Sequence, residues 1–126
     1  MNGGRRQRIA IASPDPALAA RVTHVLSEAG HEVALVTDSP FDAMEAAFSR
    51  GIDILVVDQV LDRLSGSEVA RMVASGESAA SVILLRGTEP GPAGEAGVLD
   101  PDRPDFDAEL TTAIDRTVQA RSRPGA

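Results

Sequence analysis

The stretch IDILVVD, Ile52 to Asp58, is a nearly continuous run of large aliphatic residues, interrupted by Asp53, that stops on a carboxylate. A strand with one wet face alternates apolar and polar side chains, whereas a nearly continuous aliphatic run fits a strand covered on both faces, as in a parallel sheet. Packing gives no reason for an acid at the end of such a strand, so Asp58 is the first candidate functional residue.

Upstream, RIAIA (Arg8 to Ala12) is a second strand pattern, after which the apolar period lengthens to that of a helix. Asp15 before Pro16 is a helix start, since an Asp side chain accepts from the free first-turn N–H groups and Pro loses nothing at N1. Leu18, Val22, Val25, Leu26 and Ala29 share one face, and Gly30 ends the helix. HEVALV (His31 to Val36) is the next strand. Ser39 and Pro40 open a helix whose inner stripe is expected to be Phe41, Met44, Ala47 and Phe48.

Downstream, the loop QVLDRLSG leads to a helix over Ser67 to Ala74, with Val69, Met72 and Val73 expected inward, and then to the strand SVILL (Ser81 to Leu85). The segment RGTEPGPAGEAG (86–97) holds too much Gly and Pro for a regular helix, so the fourth crossover helix is expected to be short or absent. Gly97 to Leu99 reads as a short fifth strand. A last helix starts near Asp105 or Asp107 and places Leu110, Ile114 and Val118 on one side.

Strands alternating with helices predict an α/β, doubly wound, five-stranded parallel sheet of order 2-1-3-4-5. One domain is expected over 8–120, between a flexible basic arm (1–7) and a flexible tail (121–126) that is too short for an output domain.

Composition narrows the function. The net charge of −7 and a pI near 4.7 repel a phosphate backbone, so nucleic acid is not an expected partner. No run is long and apolar enough to span a membrane, and the absence of cysteine removes disulfides and thiolate chemistry; a cytoplasmic location is expected. Aromatic residues are 2% of the chain, so the core is aliphatic. All 12 basic residues are Arg, and there is no Lys. His24 and His31 have no third nitrogen or sulfur ligand to complete a zinc site.

The series RIAIAS, DPALAARVTHVLSEAG, HEVALV, PFDAMEAAFSRG, DILVVD and SGSEVARMV resembles the receiver domain (CheY-like, flavodoxin-like fold) of two-component response regulators over three-quarters of the chain. The resemblance implies that Asp58 is the phosphoacceptor position and Gly66 the glycine eight residues beyond it. It also implies an acidic pair ending strand one that helps hold Mg²⁺, a hydroxyl ending strand four, and a Lys before Pro ending strand five.

These helper positions are degenerate here. The acidic pair aligns with Ser13 and Pro14, and Asp15, one position late, is expected to act as the helix cap. The hydroxyl position is Arg86, or Thr88 if the loop is reseated. The Lys-Pro position reads Asp100-Pro101, or Arg103-Pro104 if the chain slips. Asp62 is a possible second Mg²⁺ ligand or a solvated loop acid. Arg86 is expected either to pair with Asp58, fixing one state without phosphate, or to point to solvent. The aromatic switch residue of strand five is replaced around Gly97 and Val98.

The expected function is therefore that of a pseudo-receiver: a signalling domain without enzymatic activity, with a protein partner such as a histidine kinase or an effector, no cofactor, and only a weak metal candidate in Asp58. The first alternative is a working phosphoacceptor, modified at Asp58 by a histidine kinase with Mg²⁺. The second is a small-ligand-binding doubly wound domain using the crevice at the ends of strands one and three.

Overall fold

The computed structural model describes residues 6–49, 51–76, 80–86 and 98–122. The chain runs β1 (Arg8–Ala12), α1 (Pro16–Glu28), β2 (Glu32–Thr37), α2 (Pro40–Ser49), β3 (Ile54–Asp58), α3 (Gly66–Ser75), β4 (Ser81–Leu85), β5 (Val98–Leu99) and α4 (Phe106–Ser122). The five strands form one sheet in the order β2-β1-β3-β4-β5, every pair parallel. This is the doubly wound α/β architecture expected from the sequence.

Period-two alternation on the central strands sorts the core into two layers. Ile9, Ile11, Ile54, Val56, Ile83 and Leu85 face α1 and α4, where Leu18, Val22, Leu26, Phe106, Leu110 and Ile114 complete one cluster. Ala10, Ala12, Leu55, Val57, Val82 and Leu84 face α2 and α3. All five residues of β3 are buried, which is why its sequence shows no polar alternation.

The helix starts follow side-chain chemistry. Asp15 Oδ1 accepts from Ala17 N–H and Leu18 N–H, and Ser65 forms a capping box with Glu68 at the start of α3. Gly30 ends α1 at φ +92°, in the left-handed region where a Cβ is penalised.

Several expectations need correction. On α2 the buried residues are Pro40 and the alanines Ala43, Ala46 and Ala47, while Phe41 and Phe48 are 50% and 46% exposed. The sheet approaches α2 with Ala10 and Ala12, which leave room for a close helix of small residues and none for a phenyl ring. Met72, expected inward, is 47% exposed, and Ala70 takes its place in the core beside Val69 and Val73. Ala29 is exposed as the C-cap of α1.

Gln7, assigned to the arm, is buried; its N–H donates to His31 Nδ1 and its carbonyl accepts from Glu32 N–H. At the other end α4 runs to Ser122, two residues past the expected domain end. Residues 1–5 of the arm and 123–126 of the tail lie outside the described residues, as do Thr88, Gly97 and the rest of 87–97, so the expectation of a short or absent fourth crossover helix falls outside them too.

Candidate functional site

The carboxyl ends of β1, β3 and β4 meet at one edge of the sheet, and the candidate residues there form a closed polar network around Asp58. Asp58 closes β3 opposite Leu85 and is 0% exposed. Its Oδ1 accepts from Val60 N–H at 3.0 Å, a local turn contact that holds the loop after β3. Its Oδ2 accepts from Ser13 Oγ–H at 2.8 Å and lies 3.3 Å from Arg86 Nε.

Ser13 does more than the sequence implied. It ends β1, where Ser13 N–H donates to Thr37 O, and its hydroxyl accepts from Asp15 N–H at 3.1 Å while donating to Asp58. One hydroxyl thus joins the β1 turn to the end of β3. Its pattern among small residues gave no signal, because any Ser can end a strand.

Arg86 follows β4 with φ +71°, and its N–H donates to Leu99 O of β5. A left-handed backbone at a bulky residue costs about 1 kcal/mol or more. That turn directs the guanidinium back over the strand ends, where one nitrogen donates to Asp15 Oδ2 at 2.6 Å and another faces Asp58. The hydrogen bond from Arg86 is the main reason the Asp15 carboxyl is held below its ordinary value of 3.8, with the cap bonds from Leu18 and Ala17 adding to it. The same bond raises Arg86 above its own ordinary value. Asp15 therefore does two jobs: one oxygen caps α1 and the other receives Arg86.

Gly66 fixes the geometry of the next loop. A Cβ at this position would sit 2.7 Å from Asp58 O and 2.9 Å from Gln59 Cα, so the first turn of α3 packs directly on the end of β3 only because the residue is glycine. Gln59 Oε1 accepts from both Ser67 N–H and Ser67 Oγ–H, tying the start of α3 to the residue after Asp58.

The other expected residues do not join the network. Asp62 is exposed on the β3–α3 loop. Asp100 Oδ1 accepts from Asp102 N–H in the turn after β5. Arg103 pairs with Asp105 and Glu109 at the start of α4, 3.6 and 3.7 Å away, so its charge is used locally. Arg21, which the sequence did not single out, braces this region from α1: it donates to Pro101 O and Asp107 Oδ1 and stacks 4.8 Å over the Phe106 ring.

The open groove beside Arg86, lined by Asp15, Leu18, Arg21, Pro101 and Asp102, measures about 230 Å³. That is below the usual ~300–1,000 Å³ of sites that enclose a small organic ligand. Among the described residues no three His, Cys, Asp or Glu side chains converge as a metal cluster, and no helix is long and apolar enough to cross a membrane.

No protein-family model and no curated protein matches the sequence. Solved structures do match. The signal receiver domain of the putative response regulator NarL from Mycobacterium tuberculosis is similar at 24% identity, covering 95% of this chain and 100% of that one, with a TM-score of 0.79. A CheY-like response regulator receiver domain protein from Methanospirillum hungatei has 16% identity over 96% and 100% of the two chains, at a TM-score of 0.80. A receiver domain of a sensor histidine kinase from Pseudomonas aeruginosa, solved with a magnesium ion coordinated in its active site cleft, has 22% identity over 91% and 99%, at 0.72. The chain has the fold of the response regulator receiver domains of two-component signalling.

Proposed function

We propose that this chain is a receiver-like domain of two-component signalling that works as a protein-interaction module with Asp58 unmodified. A kinase or an effector would then read its surface rather than an acyl phosphate, and the domain would carry no catalysis of its own. The observation that carries this reading is the state of Asp58: fully buried, with Oδ1 bonded to Val60 N–H and Oδ2 shared by Ser13 Oγ and Arg86.

A carboxylate that attacks phosphorus must present a lone pair in line with the leaving group, and the incoming oxyanion needs metal and fixed donors around it. Here both oxygens are engaged, Oδ1 by Val60 N–H and Oδ2 by Ser13 Oγ–H and the Arg86 guanidinium, and the carboxylate has no exposed surface. The position where the fold family places a Lys reads Asp100-Pro101, a negative charge, or with a slip Arg103-Pro104, whose Arg103 is paired with Asp105 and Glu109.

The donor set does not fit Mg²⁺ either. That ion requires near-octahedral oxygen coordination, usually with one or two carboxylates. Ser13 stands in place of an acid, Asp15 is committed to the helix cap and to Arg86, and a guanidinium already lies between the two carboxylates. A bound cation would face Arg86 at close range.

The test is incubation of the protein with Mg²⁺ and acetyl phosphate, followed by intact-mass measurement. The expected result is no added phosphoryl group. A modified fraction that disappears in Asp58→Asn would overturn the proposal and restore the ordinary phosphoacceptor.

A further inference from the structure

The two exposed phenylalanines lie on the same helix, and the chain contains only three. Phe106 is the largest fully buried side chain; Phe41 and Phe48 sit seven positions apart on α2, with half-buried Met44 between them at i+3. This spacing places all three on one side of the helix, where the two rings are exposed and Met44 packs in part against the core layer under α2. The inner face of α2 is made of alanines, so the helix is amphipathic toward the sheet and apolar again toward the outside.

α3 extends the patch. Phe48 lies against Gly76 at the C-terminus of α3, where a Cβ would have no room, and Met72, 47% exposed, is one turn before it. Apolar side chains scattered singly on a surface need no explanation, but an aligned set across two neighbouring helices marks an interaction face.

The charges around the stripe select the occupant. Among the described residues of α2 and its approach, the charged groups are Asp38, Asp42 and Glu45, all acidic and exposed, with Glu45 on the same stripe as the two rings. Two arginines stand close to the patch in sequence, Arg71 next to Met72 on α3 and Arg50 two positions after Phe48, so the acids lie toward the N-terminal half of α2. A second copy docking through a twofold axis would set α2 acids against α2 acids on a chain of net charge −7.

We infer that the α2–α3 face docks a basic amphipathic helix of a partner protein, whose apolar anchors cover Phe41, Phe48 and Met72 while its Lys or Arg residues meet Asp38, Asp42 and Glu45. This deepens the proposed role by naming the docking face. It rests on the reading that the domain works by protein contact.

The test is titration of the isotope-labelled full chain, followed by NMR, with a designed helical peptide carrying Leu at i, i+3, i+4 and i+7 and Lys elsewhere. A twin with Glu in place of Lys is the control. The basic peptide is expected to shift amides of α2 and α3 and to bind roughly tenfold or more weakly to Phe41→Ala or Phe48→Ala. Asp42→Asn with Glu45→Gln should flatten the salt dependence of binding.

Equal binding of the acidic twin, perturbations spread over acidic surfaces away from α2 and α3, no binding of either peptide, or dimerisation in sedimentation that Phe48→Ala abolishes would each overturn the inference. Failure here with Asp58 unmodified by acetyl phosphate removes the docking face alone. A phosphoryl adduct with intact peptide binding removes the unmodified-site reading alone.

Discussion

Arg86→Ala takes away the cation facing a fully buried carboxylate, and the size of the effect follows from the surroundings of Asp58. Breaking a buried ion pair by removing one partner costs about 3–5 kcal/mol. Two features reduce this: the Arg86 side chain is 36% exposed, so water screens part of the attraction, and Asp58 keeps the bonds from Ser13 and Val60. About 2 kcal/mol is the expected loss. Arg86→Gly loses the same pairing but relaxes the φ +71° backbone, which returns about 1 kcal/mol. For a domain of this length 1 kcal/mol is roughly 4 °C in Tm, so alanine should lower Tm by about 8 °C and glycine by about half as much. Denaturant melts of Arg86→Ala, Arg86→Gly, Asp58→Asn and the double variant Arg86→Ala with Asp58→Asn measure this directly. A coupling energy below about 0.5 kcal/mol in the Arg86–Asp58 cycle, or alanine as stable as glycine, would refute the reasoning.

Gly66→Ala drives a methyl group into the backbone of Asp58 and Gln59 and should cost about 2–3 kcal/mol, read by chemical denaturation; an unchanged midpoint would show that α3 can shift freely. Asp15, held below its ordinary 3.8 mainly by Arg86, stabilises the fold above that value and loses this contribution as pH falls below it. The acid limb of a Tm–pH profile should therefore be shallower in Asp15→Asn than in the unmodified chain. Burial pushes His31 below its ordinary 6.5, so its neutral form supports the fold above that value and the support is lost as pH falls through the lowered one. Protonation would also cancel the Nδ1 acceptor used by Gln7, and His31→Gln should remove the weakly acidic part of the slope. Phe106→Ala should cost about 3–5 kcal/mol as a core cavity, with Arg21→Met losing less because Arg21 is half in water.

The architecture was legible because its signals are local. The buried run of β3, Asp15-Pro16 and Ser39-Pro40 at helix starts, and Gly30 at a helix stop act through the backbone within a few residues. The faces of α2 and α3 were less so. Helical spacing places Phe41, Met44 and Phe48 on a stripe but cannot say whether the stripe points in or out, and it does not choose between that stripe and the alanines Ala43, Ala46 and Ala47. What decides between them is the partner surface: Ala10 and Ala12 on β1 admit a close helix of small residues, a fact of sheet register that lies outside α2 itself.

The site divides along the same line. Asp58 was visible because an acid ends an apolar strand, whereas Gly66 was marked only by the resemblance to receiver domains. The reach of Arg86 to both Asp15 and Asp58 depends on a left-handed backbone at a non-glycine residue, which residue type does not announce. The consequence is physical. One guanidinium, held by β4, neutralises a carboxylate from α1 and another from β3, so the three elements that converge on the sheet edge share a single fixed charge. A charge carried by a side chain cannot dissociate or be used up as an ion or a phosphoryl group can, which is why the proposed function assigns no chemical switch to this edge. On the proposed reading its signalling content lies in which surfaces it presents, and the half-exposed Phe41 and Phe48 of α2 mark one of them.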